Sequence, residues 1–286
     1  MQEIADYIGD SLDLSKKAMD TEASVIVFCG VRFMAETAAI LNPEKIVLLP
    51  DKGAGCELAD MASVEDLRAI KMKYPNIPVV SYVNSSAVVK AESDICCTSA
   101  NAVDVVNSLN EDKVLFLPDK NLGTWVNEKT DKQIITWDGY CYVHEENITT
   151  EKIETLKKLH SHSKVLVHPE CSGSVRNLAD FIGGTGDIRR YVKREKADEF
   201  IVGTEDGIIN TLKKENPHKI FYPVSTICTG MKKIDLEKIQ LSLERMRHRT
   251  NIPESIRLKS RMALVKMLKV KKQRIWKFER MMSRCF

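Results

Sequence analysis

The sequence predicts an α/β protein built from three similar αβα units, each with a parallel sheet, in a pseudo-threefold, triangular arrangement. The first observation is a stretch that occurs three times: an acid, a short apolar run suited to a buried strand, small or polar residues, and a hydroxyl. The copies lie at residues 6–11, 94–99 and 180–185. Their hydroxyls are 88 and 86 residues apart, and a fixed period of this length indicates repeated structural units.

The second observation is that the flanking sequence repeats in step. Strand-like runs recur at the same offsets, at 25–30, 114–118 and 200–203, then at 45–49, 133–137 and 219–222. Each run precedes turn residues and a helical pattern, which is typical of parallel strands with crossover helices. We expect helices at 11–19, 33–41, 64–74, 100–109, 121–129, 149–160, 175–179, 187–195, 206–214 and 236–248, another that opens at 252–253, and loops at 49–56 and 139–144.

The second and third units begin with one further strand, at 78–84 and 164–170. One period before Val80 falls before Met1, so the first unit lacks its opening strand. We expect either a chain clipped at its N-terminus or an abbreviated first copy. The predicted units are residues 1–76, against which the C-terminal helices pack back, 77–162 and 163–250, followed by a C-terminal helix and basic tail at 251–286.

Composition argues against several classes of protein. The sequence has no run of about 18 apolar residues and no signal peptide pattern, so no membrane span is expected. Eight cysteines without paired, closely spaced clusters favour a reducing compartment, hence a cytoplasmic protein. The net charge of +3 combines a basic segment at 254–286 with a body of about −6, which does not favour nucleic-acid binding. The tail is expected to be a solvated helix extension, the alternative being a contact surface for an acidic partner or a membrane.

Three cysteines occupy corresponding places in the repeat. Cys56, Cys141 and Cys228 each follow the last strand of a unit, and they lie 85 and 87 residues apart. Around a pseudo-threefold axis their thiolates would converge. Three converging thiolates bind either zinc, with water as the fourth ligand, or an iron–sulfur cluster with one iron free of protein ligands. Four further cysteines are expected to be ordinary core residues: Cys29, Cys96, Cys97 and Cys171.

Polar residues at the carboxyl ends of the opening strands are also in register. Tyr82 and Asn84 of the second unit correspond to His168 and Glu170 of the third. Ligands bind at this edge of parallel sheets. Glu170 beside His168 suits a general base with a polarising partner, although such a pair can also be structural.

The hydroxyls of the repeat indicate an anion site. Ser11, Ser99 and Thr185 are each expected at a helix N-terminus, where a hydroxyl and free backbone amides suit a phosphate or a carboxylate. Each alone could equally be a simple N-cap. The glycine-rich run at 183–186 lacks the lysine and the spacing of a nucleotide-binding motif.

Several motifs, in order along the chain, resemble those of quinolinate synthase, the A protein of de novo NAD synthesis. They read Tyr-Val-Asn-Ser-Ser at 82–86, Thr-Ser-Ala-Asn-Ala at 98–102, Pro-Asp-Lys-Asn-Leu-Gly at 118–123, His-Pro-Glu-Cys at 168–171 and Gly-Thr-Glu at 203–205. The resemblance runs from Gln2 to about Leu268. It implies a triangular, three-domain α/β protein with a [4Fe–4S] cluster at its centre. It also implies condensation of iminoaspartate with dihydroxyacetone phosphate to quinolinate, with loss of phosphate and water.

The resemblance implies roles for individual residues as well. The cluster ligands would be Cys56, Cys141 and Cys228, whereas Cys171 would not be a ligand. The unique iron would be a Lewis acid that polarises substrate oxygens. Glu170 would be the general base, with His168 and Tyr82 as further catalytic groups. The substrate-binding positions would be Ser11, Tyr82, Asn84, Ser99, His168, Glu170 and Thr185.

The chain departs from the family pattern at two places. The family opens with a strand that ends in His-Asn-Tyr, which belongs on the strand that the repeat predicts to be missing, and Gly184 stands where the family usually has serine. A noncatalytic cluster- or ligand-binding relic of the same fold is therefore the alternative to an active enzyme, and a zinc-bound variant is the third hypothesis. Expected partners are the two small-molecule substrates and an aspartate oxidase or dehydrogenase, with no nucleic acid. A monomer or a homodimer is expected.

Overall fold

Three separate parallel sheets form the framework of the protein, whose computed structural model describes residues 2–270. The strands are β1 Val25–Val27, β2 Ile46–Leu48, β3 Val79–Tyr82, β4 Ile95–Cys97, β5 Lys113–Leu117, β6 Gln133–Thr136, β7 Lys164–Val167, β8 Phe181–Ile182, β9 Glu199–Gly203 and β10 Ile220–Pro223. The first sheet holds β1 and β2, the second runs in the order β4-β3-β5-β6, and the third in the order β8-β7-β9-β10. All of these strand pairs are parallel. The shared order of the second and third sheets confirms the predicted fold class.

Helices fill the connections between the strands, and side-chain caps explain where many of them begin. They are α1 Ser11–Asp20, α2 Arg32–Leu41, α3 Glu57–Asp60, α4 Val64–Lys73, α5 Ala87–Ala91, α6 Ala102–Asn107, α7 Lys120–Asn127, α8 Tyr142–Glu145, α9 Thr150–Leu159, α10 Gly173–Arg176, α11 Thr185–Arg194, α12 Gly207–Glu215, α13 Leu236–Arg245 and α14 Glu254–Lys269, with a 3₁₀ turn at Met231–Lys233. Asp10 caps α1, Ser86 caps α5 and Asp119 caps α7. Each of these side chains accepts hydrogen bonds from backbone N–H groups of the first turn.

The first sheet departs further from the repeat than the sequence predicts. The apolar run at residues 7–9 forms no strand, and Tyr7 and Ile8 are 51% and 43% exposed. Its counterparts β4 and β8 each pair with one neighbour, the opening strand of their own unit. Without an opening strand beside it, a short run loses its hydrogen-bonding partner. The expectation of a buried strand at residues 7–9 was therefore wrong.

Two local predictions also need correction. Residues 139–144, predicted as a loop, include the start of the short helix α8. Ser99 lies in a turn three residues before α6, whereas Ser11 and Thr185 are the first residues of α1 and α11. The hydroxyls thus share a place in the repeat but not one helical position.

The C-terminal helix α14 packs against elements of the first two units. It contacts α5 and β4 beside the second sheet and α2 beside the first. Leu264 and Met267 are fully buried there, in a cluster that includes Phe33 and Val80. Burial of one such side chain contributes about 1.5–3 kcal/mol, so this contact is a substantial link between the two units.

Two further expectations concerned a membrane span and the basic tail. No helix within residues 2–270 combines the length and the apolar character that crossing a membrane requires. The basic tail from residue 271 lies outside the described residues. Both expectations for that tail remain predictions.

The acid that opens each repeat holds two strands together in the second and third units. Asp94 Oδ2 accepts a hydrogen bond from the N–H of Val79 at 2.8 Å, and the N–H of Asp94 donates to the Val79 carbonyl at 3.0 Å. Asp180 makes the same two hydrogen bonds with Val165, both at 2.8 Å. Each aspartate thereby fixes the start of an opening strand beside its edge neighbour. Asp6 is exposed, and no opening strand lies next to it in the described chain.

Replacement of either paired aspartate should destabilise the protein. Asp94→Ala and Asp180→Ala each remove a charged acceptor from a strand N–H, which at these exposed positions should lower the free energy of unfolding by about 1 kcal/mol. Asp6→Ala is the matched control and should leave that free energy unchanged. Urea unfolding followed by circular dichroism compares the three variants. Equal losses from all three would contradict this interpretation of the repeat.

Candidate active site

The three loops that carry Cys56, Cys141 and Cys228 meet one another. Cys56 follows β2 and is the N-cap residue of α3, Cys141 follows β6 and is the N-cap residue of α8, and Cys228 follows β10. The first and third of these loops touch at two glycines. A Cβ on Gly230 would overlap the carbonyl oxygen of Gly55, so only a glycine admits this approach.

Hydrogen bonds join the loop of Cys141 to the other two. The Tyr142 hydroxyl accepts a hydrogen bond from the N–H of Thr229 at 2.9 Å and lies 3.1 Å from the Thr229 hydroxyl. On the other side, Trp137 Nε1–H donates to the carbonyl of Met61, at the end of α3, at 3.0 Å. Each cysteine loop therefore contacts both of the others.

Burial keeps two of these thiols, those of Cys56 and Cys141, protonated. Burial raises the pKa of Cys56 to about 12, with the Glu170 carboxylate and the Cys228 thiol adding to the effect. Burial likewise raises the pKa of Cys141 well above its ordinary value, again with a contribution from Glu170. Their thiolates would need a neighbouring positive charge, which a bound metal supplies.

A compact group of donor atoms lies beside these loops. Within residues 2–270, one atom each from Cys141, His144 and Glu170 lie within 4.8 Å of one another. A thiol, an imidazole and a carboxylate at this spacing could hold a metal ion.

The remaining described cysteines divide into two kinds. Cys96, Cys97 and Cys171 are fully buried, as predicted for core residues. Cys171 Sγ donates to the Gly203 carbonyl at 3.6 Å. Cys29 is exposed, so the prediction was wrong for that residue. It lies in the loop that follows β1, between Phe28 and Gly30, which are both buried.

The carboxylate of Glu170 lies at the centre of a polar cluster. Glu170 is 2% exposed and follows β7 of the third sheet. Tyr82 Oη, from the second sheet, donates to Glu170 Oε1 at 2.6 Å. His144 Nδ1 lies 3.1 Å from Oε2, and His168 Nδ1 lies 3.6 Å from Oε1. The three residues predicted to be catalytic, Glu170, His168 and Tyr82, thus lie together, and His144 lies beside them.

The protonation states follow from burial and from these contacts. Burial lowers the pKa of His168 to about 4, although the Glu170 charge opposes it. Burial alone would raise the pKa of Glu170, but the two imidazoles and the hydrogen bonds from His144 and Tyr82 outweigh it and lower that pKa to about 2. At neutral pH, His168 is neutral and Glu170 is ionised. The N–H of Glu170 donates to His168 Nδ1 at 3.3 Å, which leaves the ring proton on Nε2.

Three residues that the sequence did not single out complete the cluster. His144 Nε2 lies 3.0 Å from the Thr204 hydroxyl, and its ring stacks on that of His168 with centroids 4.6 Å apart. Asn121 Nδ2 donates to the backbone carbonyl of Glu170 at 3.1 Å. Asn121 and Thr204 stand in the motifs that carry the family resemblance, and His144 stands in a predicted loop, but no pattern of spacing assigned any of them a partner.

The turns that carry two of the predicted hydroxyls approach one another. Ser99 lies within hydrogen-bonding reach of the Tyr82 phenol. A Cβ on Gly184, immediately before Thr185, would lie 2.8 Å from Ser99 Oγ. The glycine that stands in place of the usual family serine therefore lets these two turns come close.

Ser11 and Asn84 lie near the same place. A Cβ on Gly186, in the first turn of α11, would lie 2.5 Å from Asp10 Oδ2, so the turn before Ser11 approaches this helix. Ser11 and Val83 line a cavity of about 10 Å³, enough for one water molecule. The Oδ1 atom of Asn84 is buried and has no hydrogen-bond partner among the described residues. A buried polar atom of this kind is suited to a ligand that would satisfy it.

Comparison with known proteins gives matches over almost the whole chain. A family described as "Quinolinate synthetase A protein" matches residues 1–269. The chain is 51% identical over 273 residues to quinolinate synthase 1 of Methanosarcina acetivorans, which covers 95% of this chain and 90% of that protein. It is 54% identical over 272 residues to the quinolinate synthase of Dehalococcoides mccartyi strain CBDB1, covering 94% of this chain and 90% of that protein. By these matches the chain belongs to the quinolinate synthase family.

Proposed function

We propose that this chain condenses iminoaspartate with dihydroxyacetone phosphate to quinolinate, with release of phosphate and water. The observation that carries the proposal is the buried Glu170 cluster beside three converging cysteine loops. The names of the relatives support the same reaction. An ionised carboxylate next to a bound substrate is a group that can accept a proton from it, as a general base does.

We propose that Cys56, Cys141 and Cys228 hold a [4Fe–4S] cluster. Support comes from three free thiols on corresponding loops that contact one another, and from the raised pKa of Cys56 and Cys141, whose thiolates would depend on a metal charge. When bound, the cluster would supply a Lewis-acidic iron without a protein ligand, which polarises a substrate oxygen. Cys171 is not a proposed ligand, since its thiol is buried against the Gly203 carbonyl.

Glu170 is the proposed general base, assisted by His168 and Tyr82. Tyr82 Oη donates to Oε1 and His144 Nδ1 lies 3.1 Å from Oε2, and the carboxylate that they hold is the group proposed to accept a substrate proton. Neutral His168 carries its proton on Nε2 and can donate a hydrogen bond to a substrate oxygen. Tyr82 holds the carboxylate in place from the neighbouring unit.

The proposed anion contacts come from the approaching turns. Ser11 and Thr185 begin α1 and α11, where free backbone N–H groups and the helix dipole favour a carboxylate or a phosphate. Ser99 adds a hydroxyl between Tyr82 and the turn of Thr185. Asn84 Oδ1 would accept a hydrogen bond from a substrate amine or hydroxyl.

We further propose a cytoplasmic enzyme, a monomer or a homodimer, that receives iminoaspartate from an aspartate oxidase or dehydrogenase. The cysteines of the described chain are free thiols, which suits a reducing compartment. The proposed chemistry needs reduced cysteines in any case, because a cysteine ligates iron as its thiolate.

Loss of one proposed ligand should remove the metal centre. Cys141→Ala should abolish iron binding, because no neighbouring thiol replaces the missing thiolate, whereas Cys171→Ala should retain it. Iron, sulfide and the absorption spectrum are measured after anaerobic reconstitution of the wild type and both variants. Iron retained by Cys141→Ala would contradict the ligand assignment, and zinc found in its place would favour the mononuclear alternative.

Loss of the proposed base should remove catalysis and leave the metal centre intact. Glu170→Gln keeps the volume of the side chain but cannot accept a proton, so we expect quinolinate formation to fall at least about 100-fold with iron content unchanged. Glu146→Gln, at an exposed position, is the matched control and should be fully active. A fully active Glu170→Gln enzyme would exclude the proposed mechanism. Wild-type protein that binds iron yet forms no quinolinate would favour the noncatalytic relic.

The His168 imidazole should remain neutral far below the usual range. Because burial lowers its pKa to about 4, its proton resonances should not titrate between pH 8 and about 5. The nearby Glu170 charge raises this pKa, so Glu170→Gln should lower it further. NMR titration of the metal-free protein, with the ring assigned by a His168→Gln variant, gives both values. A midpoint between pH 6 and 7 for His168 would contradict this assignment.

A further inference from the structure

Lys90, in α5, is a lysine with no exposure to solvent. Lysine is almost never fully buried unless its charge is paired, because removal of an ammonium from water costs several kcal/mol. Its Nζ donates to the backbone carbonyl of Ser85 at 2.5 Å. A buried lysine with this free-energy cost is expected to have a specific role. None of the roles proposed above involves Lys90.

The acceptor of this hydrogen bond lies within the segment that follows β3. Ser85 is itself fully buried. Its hydroxyl donates to the Tyr82 carbonyl at 2.9 Å and lies 2.8 Å from the Ser81 hydroxyl. Lys90 thus binds one end of a buried series of hydrogen bonds, which runs from Ser85 back to Tyr82 in β3. Asn84 lies between Tyr82 and Ser85 in the sequence.

Tyr82 and Asn84, the two proposed substrate-binding residues of this segment, are held in place by different contacts. Tyr82 belongs to β3, and the next residue, Val83, donates its N–H to the Cys97 carbonyl at 2.9 Å. Asn84 lies beyond the strand ladder, next to the carbonyl that Lys90 binds. A loss of the ammonium would therefore disturb Asn84 more than Tyr82.

The ammonium also lies where the first unit meets the second. Lys90 Nζ is 5.5 Å from the centre of the Phe33 ring, on α2. On the same helix, Glu36 Oε2 accepts a hydrogen bond from the N–H of Ala87 at 2.9 Å. Burial lowers the pKa of Lys90, while the charge of Glu36 opposes that effect. Contacts from two units therefore fix where the ammonium lies.

We propose that Lys90 is a positioning residue that holds Asn84 in its substrate-binding place through the Ser85 carbonyl. A hydrocarbon side chain of the same length would fill the space but leave that carbonyl unsatisfied in a dry environment, so the segment would shift to find another donor. The proposal rests on the proposed function for the identity of what Asn84 binds. The hold on the segment does not depend on that function.

The test compares three variants of the iron-loaded enzyme. Lys90→Met removes the donor at nearly constant length, and Lys90→Gln keeps an N–H donor on a shorter side chain. Lys71→Met is the matched control, because Lys71 also donates to a backbone carbonyl, that of Glu92, but from a partly exposed position. Quinolinate binding by calorimetry, KM and kcat, iron content, and amide hydrogen exchange at residues 84–86 are measured for each.

For Lys90→Met we expect about tenfold weaker quinolinate binding and a similar rise in KM, since a hydrogen bond from a charged donor is lost. The kcat should change less than about threefold, and iron content should not change. Amides 84–86 should exchange faster, Lys90→Gln should recover part of the affinity, and Lys71→Met should match the wild type in every measurement.

Unchanged exchange at residues 84–86 in Lys90→Met would overturn the proposal. So would a fall in kcat and iron content without a change in affinity, because that would mark Lys90 as a support of the whole fold or of the metal centre. If the wild-type enzyme neither forms nor binds quinolinate, the proposed function fails. The exchange comparison would then still decide whether Lys90 holds Asn84.

Discussion

The buried carboxylate of Glu170 is the constraint on which the arrangement of the second and third units depends. A carboxylate removed from water is tolerated only with good hydrogen-bonding partners, and here the partners come from across a unit boundary. Tyr82 and His144 belong to the second unit, and Asn121 binds the Glu170 backbone from the same side. If the second and third units separated or rotated, the Glu170 carboxylate would lose these partners. The docking of the two units and the ionisation of Glu170 are therefore linked.

The packing of the three units also brings the three cysteine loops into contact. Corresponding loops of three related units point toward one centre, and small residues let them touch. Gly230 allows one pair of loops to come into contact, and Gly184 allows the turns of Ser99 and Thr185 to do so. Triplication of one unit thus places thiols after the last strand of each unit and hydroxyls at corresponding places in the repeat, of which Ser11 and Thr185 begin helices.

The sequence alone predicted those parts of the fold that depend on local pattern and period. Strands β1 to β10 and the loops that meet follow from the repeat, because equivalent residues in equivalent units take equivalent places. The prediction of a buried strand at residues 7–9 was wrong because a strand needs a hydrogen-bonding neighbour. In the second and third units that neighbour is the opening strand, and no opening strand lies beside residues 7–9 in the described chain. His144 and Lys90 were missed because their importance lies in contacts with distant residues, the carboxylate of Glu170 and the carbonyl of Ser85, and no spacing along the chain encodes such contacts.

Every unit contributes one cysteine loop to the place where the three loops meet. Glu170 and His168 belong to the third unit, whereas Tyr82 and His144 belong to the second. An excised unit would therefore hold only part of this arrangement. If the proposed cluster binds at the three loops, its loading would report that the three units have docked, and loading would follow assembly.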